Sequence, residues 1–215
     1  MRRSPLFLGA LAALFISQAA SAQEVTAGVA LQTGSPDDNG FDYTMAPTAI
    51  GDIKIEFGDN VAIGVTGYKN LEGAKGDELD ATLDVTPLRG VTLTAEYYSL
   101  RTEPDIVHLG VTVEQDTGIG TFDLSMGQYL TAGPDATRFQ IGLSPKLGSE
   151  SFDLRVYGTH ERGYDLEPIT TAGVEAEWHL NDRWSITGNA IIPLNHLDQD
   201  DPRGQVFTIG LRATF

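Results

Sequence analysis

The chain has 215 residues, with 14 Lys and Arg against 30 Asp and Glu, a formal net charge of −16, and no cysteine. That balance excludes a basic nucleic-acid-binding surface. The lack of cysteine excludes disulfides, thiol catalysis and thiolate metal sites.

Residues 1–22 read as a secretory signal. Arg2 and Arg3 form a basic region, Leu6 to Ile16 an apolar run, and Ala20-Ser21-Ala22 a small-residue cleavage site before Gln23. The apolar run is shorter than the roughly 20 residues a spanning helix needs. Cleavage would remove two bases and no acid, leaving 23–215 as one domain with a charge near −18. No later segment is apolar enough to stop in an inner membrane.

The rest of the chain alternates apolar and polar residues between turn signals, which predicts strands. In chain order these are 24–32, 48–57, 61–69, 78–86, 90–100, 105–115, 119–130, 136–145, 151–161, 169–179, 183–193 and 204–215. Phe57-Gly58-Asp59-Asn60, Pro87-Leu88-Arg89-Gly90, Gln115-Asp116-Thr117-Gly118, Lys146-Leu147-Gly148-Ser149 and Leu180-Asn181-Asp182 read as short turns. The alternate links 33–47, 70–77, 131–135, 162–168 and 194–203 are longer and more acidic; only Arg101-Thr102-Glu103-Pro104 is brief. Short turns at one end and long loops at the other is the pattern of a membrane β-barrel with its short turns in the periplasm.

One face of each predicted strand is apolar. It carries Ile63, Val65, Leu83, Leu93, Leu109, Val111, Leu124, Ile141, Leu154, Val174, Ile186 and Ile209. Phe57, Phe122, Phe152, Trp178, Trp184 and Phe215 lie on that face beside the short turns, and Tyr97, Phe139 and Phe207 lie on it near the opposite ends. Two aromatic levels bracketing an uncharged belt match the two interfaces of a bilayer. A lipocalin-like soluble barrel has the same alternation with its faces exchanged.

The other face is polar and small. Strand by strand it presents Lys54 and Glu56; Asp80 and Asp84; Glu96; His108 and Glu114; Asp123; Arg138; Asp153 and Arg155; Glu175, Glu177 and His179; and Arg212. So many ionisable groups cannot stay charged in a dry core. They line water or pair with one another. Acids outnumber bases among them, and carboxylates on a pore wall favour cations.

The last strand, Gln205 to Phe215, sets Phe207, Ile209, Leu211, Ala213 and Phe215 on one face and Val206, Thr208, Gly210, Arg212 and Thr214 on the other. It resembles the carboxy-terminal assembly signal of Gram-negative outer-membrane β-barrel proteins, carried here by Phe207, Ile209, Gly210, Leu211 and Phe215, with Ala213 where a bulkier residue is common. The resemblance implies an outer-membrane location reached through the periplasm. It also implies periplasmic chaperones, the barrel-assembly machinery, outer-membrane lipid and lipopolysaccharide as partners. The small twelve-stranded channels for acidic sugars are similar in length and architecture. Their lumens are basic and this wall is acidic, so that resemblance does not carry a substrate.

Some outer-membrane barrels are lipid hydrolases. None of the four histidines has the His-x-Ser spacing that would place both side chains on one strand face. Across strands, His108 faces roughly Gly127 to Tyr129, with Ser125 the nearest hydroxyl and Glu96 an orienting acid, which is the outline of a triad. These residue types are ordinary on a polar lumen, and no enzyme is predicted. Asp37-Asp38-Asn39-Gly40 and Asp198-Gln199-Asp200-Asp201 lack EF-hand spacing and read as solvated loop tips. Glu72-Gly73-Ala74-Lys75-Gly76-Asp77 has no phosphate-binding spacing. No cofactor or metal is assigned.

The sequence therefore predicts an all-β antiparallel transmembrane barrel of ten or twelve strands, twelve preferred. It predicts porin-like passage of small solutes with a modest cation preference. The alternatives are a closed structural or adhesion barrel acting through acidic loops and, behind it, an outer-membrane hydrolase.

Overall fold

The computed structural model describes residues 24–34, 47–71, 78–100, 106–130, 136–163, 166–195 and 205–215. The signal at 1–22, both acidic loop clusters and the Glu72–Asp77 segment lie outside the described residues. The strands are β1 (Glu24–Gly34), β2 (Thr48–Phe57), β3 (Val61–Asn70), β4 (Glu78–Leu88), β5 (Val91–Leu100), β6 (Ile106–Asp116), β7 (Gly120–Tyr129), β8 (Ala136–Pro145), β9 (Phe152–Gly163), β10 (Leu166–His179), β11 (Trp184–Pro193) and β12 (Val206–Thr214). Each pairs antiparallel with its sequence neighbours, and β1 pairs with β12, so the sheet closes into a barrel. Closure leaves no exposed sheet edge.

Register makes the alternation three-dimensional. Because side chains alternate with period two, every pair across a ladder shares one face. Arg155 pairs with Glu175, and Ala62 with Asp84, in the polar set. Ile63 pairs with Leu83, Leu124 with Ile141, and Ile186 with Leu211, in the apolar set. The apolar set is the exposed one: Val29, Ile53, Leu83, Leu109, Met126, Ile141, Val174 and Ile209 all face outward. No large side chain among the described residues is fully buried. A water-soluble barrel would hide its large apolar side chains inside. This one turns them outward and its charges inward, the arrangement of a membrane-spanning barrel.

The short turns lie together at one end. Gly58, Gly90 and Gly148 hold φ of 63°, 75° and 69° there, left-handed conformations that favour glycine. The aromatics named from the sequence take up their two levels, with Phe122, Phe152, Trp178, Trp184 and Phe215 exposed beside the short turns and Tyr97, Phe139 and Phe207 exposed toward the other end. One predicted loop is different. Most of 162–168 is strand: β9 runs to Gly163, β10 starts at Leu166, and a register shift between Leu166 and Ile169 absorbs the irregularity. The Thr-rich start of β10, next to Ile169, continues the ladder despite Pro168.

Candidate functional site

The polar face of the barrel wall is the candidate site. Toward the short-turn end, Arg155 on β9 donates through Nε and Nη2 to the two carboxylate oxygens of Asp123 on β7, at 3.1 and 2.7 Å. Its Nη1 donates to Glu175 on β10 at 3.2 Å, and its guanidinium lies 5.1 Å from the ring centre of Tyr157. The two-oxygen geometry is the strong form of a charge-assisted pair. Asp123 can reach β9 because the strand between them carries Gly142 at that rung; a Cβ there would overlap the carboxylate.

The same device recurs. Asp52 on β2 lies over Gly28 of β1, the rung-mate of Arg212 on β12. Tyr157 lies over Gly173 of β10 and donates to Asn189 on β11 at 3.3 Å. His108 lies over Gly127 of β7. Inward glycines thus act as notches that make room for a side chain from the neighbouring strand, and at Gly142 and Gly173 that side chain engages the strand beyond. Arg212 donates to Glu177 at 2.8 Å, and Ser185 donates to the other oxygen of that carboxylate. His179 meets Asp153 at 2.7 Å, and Lys54 meets Glu56 at 2.6 Å.

Toward the long-loop end, Glu96 accepts from Tyr98 at 2.8 Å and meets Nδ1 of His108 at 2.6 Å. His108 is only 6% exposed and packs on Tyr129, ring centres 4.7 Å apart. Tyr129 donates to Glu161 at 3.3 Å, and Arg138 pairs with Glu161 at 3.4 Å. Tyr68, Tyr98, Tyr129 and Tyr157 all take inward positions, as do Asp52, Glu78 and Glu161. Sequence reading did not single these out, although strict alternation from Lys54, Gly64, Asp80, Glu96, Asp123 or Arg155 would have placed them.

The lumen residues named from the sequence all fall on this face. The structure brings Asp123, Arg155 and Glu175 into one cluster, Glu177 and Arg212 into a second, and Glu96 with His108 into a third. Asp84 accepts from Thr94 at 2.7 Å. Glu114, near the short-turn end of β6, joins none of these clusters. Asp80 has a buried Oδ1 with no hydrogen-bond partner among the described residues.

Two features of the wall stand out. First, charge is divided around it. The described inward positions of β3 to β7 hold Glu78, Asp80, Asp84, Glu96, Glu114, Asp116 and Asp123 but no Lys or Arg. The inward arginines stand on β8, β9 and β12, and Arg138, Arg155 and Arg212 each have a carboxylate partner. Second, the ion pairs between inward strand residues join strands no more than two positions apart. They run along the wall and do not bridge the lumen. A cavity of about 860 Å³ occupies the short-turn half, between Asp52 on one side and Arg155, Glu175, Asn189 and Arg212 on the other.

The outlined triad does not assemble. Its His108–Glu96 pair forms, but Ser125 is the rung-mate of Thr112 and shares a 2.7 Å hydroxyl contact with it. His108 is the rung-mate of Tyr129, four residues from Ser125 along β7, or roughly 13 Å of strand. Its Nε2 is turned toward Gly127 and has no hydrogen-bond partner among the described residues.

No family model matches the chain, and no curated protein matches it in sequence. Solved structures do. The KdgM porin in complex with disordered oligogalacturonate has a TM-score of 0.63 at 8% identity, covering 89% of this chain and 99% of that one. The NanC porin has a TM-score of 0.61 at 8% identity, covering 87% and 98%. An outer-membrane channel from Pseudomonas putida F1 has a TM-score of 0.55 at 14% identity, covering 89% and 94%. At these identities the likeness is one of fold: the chain has the closed barrel architecture of small outer-membrane channels.

Proposed function

We propose that this chain is an outer-membrane channel for passive passage of small solutes, with a modest preference for cations. The observation that carries the reading is the course of the ion pairs. Among the described residues the guanidiniums are neutralised along the wall, and no ion pair between inward strand residues crosses the lumen as a closed anchor would require. The division of charge supports the sign of the preference. A cation passing β3 to β7 meets carboxylates and hydroxyls on strands with no described inward Lys or Arg of their own, and only Asp123 among those carboxylates is held by an arginine from β9. Carboxylates facing water attract cations and repel anions. The KdgM porin was solved with oligogalacturonate, a polyanion. An acid-lined half-wall is unsuited to such a ligand, so the reading takes the architecture of that protein and leaves its ligand behind.

Single-channel recording in planar bilayers tests this. Conductance steps are expected, with a reversal potential in a KCl gradient that reports K⁺ passing more readily than Cl⁻. Replacing Asp80→Asn, Asp84→Asn and Glu114→Gln together should move the permeability ratio toward unity while steps persist. A folded barrel without steps would overturn the channel, and steps preferring Cl⁻ would overturn the cation preference.

A further inference from the structure

The outer face has a charge pattern of its own. The chain holds 30 acidic residues against 14 basic ones, yet among the strand residues whose side chains are described no outward position is acidic. The basic groups there are Lys69 on β3 and His160 and Arg162 on β9, and all three lie at the long-loop ends of their strands. The short-turn end of the same face carries aromatics and no charge.

His160 and Arg162 form a local site. Arg162 is the rung-mate of Thr137, and His160 stands between Phe139 and Thr170. Nδ1 of His160 contacts the Thr170 hydroxyl at 3.0 Å. Arg162 is exposed and has no ion-pair or hydrogen-bond partner among the described residues, whereas the inward Arg138, Arg155 and Arg212 are each paired. An unpaired guanidinium at the rim of an apolar belt can lay its stem on the belt and hold its head at interfacial depth. There it faces the headgroups of the surrounding leaflet. The Thr137 hydroxyl, and the donor left over from the His160–Thr170 pair, add hydrogen bonds suited to a phosphate.

We infer that Arg162 and His160, with Thr137 and Thr170, form a docking site for the phosphate-bearing headgroup of a lipid in the leaflet at the long-loop end. Phe139 below them meets the upper part of its acyl chains. Lys69 adds positive charge elsewhere on the same rim. The inference rests on the membrane-embedded reading above and is independent of what crosses the lumen.

Native mass spectrometry of the detergent-folded full chain tests it, with diphosphoryl lipid A, its dephosphorylated counterpart and inorganic phosphate as probes. The diphosphoryl lipid should bind better than the dephosphorylated one, and inorganic phosphate at equal concentration should not displace it. Arg162→Gln with His160→Gln should weaken binding by roughly tenfold. Arg183→Gln, in the short-turn link at the opposite end, should leave it unchanged. Heat-modifiable gel mobility confirms that each variant is folded. Equal binding of the two lipids, displacement by free phosphate, or an unaffected double variant would each overturn the headgroup site. Conductance from the same preparations separates the two proposals: steps without phosphate-selective lipid binding remove the headgroup site alone, and lipid binding without steps removes the channel alone.

Discussion

Arg155 grips both carboxylate oxygens of Asp123 across the bare α-carbon of Gly142. The pair joins strands that are not hydrogen-bonded to each other. It therefore holds three strands in fixed register where backbone ladders hold two at a time.

That relationship makes Gly142 sensitive. Gly142→Ala puts a methyl where the Asp123 carboxylate lies, and should lower the unfolding free energy by about 1–3 kcal/mol. Gly51→Ala, with open space around its Cβ position, should change it by less than about 0.5 kcal/mol. Urea unfolding of the barrel in lipid vesicles compares them. Equal costs at the two sites would show that the notch does not matter.

Removing the cation should cost more at Arg155 than at Arg212. The Asp123 side chain is 9% exposed and would be left without its partner, whereas Glu177 is 24% exposed and keeps Ser185. An unpaired, largely buried carboxylate is costly. Arg155→Gln is predicted to destabilise by about 2–4 kcal/mol and Arg212→Gln by less than half of that, in the same urea titration. The reverse order would contradict the burial argument.

The outward belt gives a test of the surrounding medium. Ile141, 54% exposed at the middle of β8, should tolerate Arg poorly, at about 2–4 kcal/mol for Ile141→Arg in a bilayer. A soluble barrel would accept the same change on its surface at almost no cost. Refolding yield and stability in vesicles tell these apart.

Only two tryptophans occur in the chain. Trp178 and Trp184 both point outward beside the β10–β11 turn. Their fluorescence should be quenched more by lipids brominated near the headgroup than by lipids brominated near the chain ends. Stronger quenching by the deep bromines would displace the short-turn ring from the interface.

The alternation of single strands was legible because burial on one face and exposure on the other leave a period-two trace. Strand number, the short-turn end and both aromatic levels follow from that trace, as does the inward placement of residues such as Asp123 and Arg155. The notches were not legible. Asp123 meets Arg155 through a glycine on the strand between them, which takes the register of three strands to see, and one residue of slip would move Gly142 to the other face. The same limit explains Ser125: it shares a face with His108, and only the rung assignment shows the four residues between their levels. The β9–β10 link was misplaced for another reason. Its Gly163 and Pro168 are turn signals locally, yet both lie within strands, because pairing along the two longest strands extends the ladder to Gly163 and Leu166.

Phe215 and Val25 exchange backbone hydrogen bonds of 2.9 and 3.3 Å, one ladder step beyond the last residue of β12. In space, then, the wall has no first strand, and its numbering is a convention of synthesis. A circular permutant that fuses residue 215 to residue 24 through a short linker, and opens instead in the β2–β3 turn near Asn60, would keep every rung of the cylinder. The order in which strands leave the ribosome would change, and the finished object would be the same.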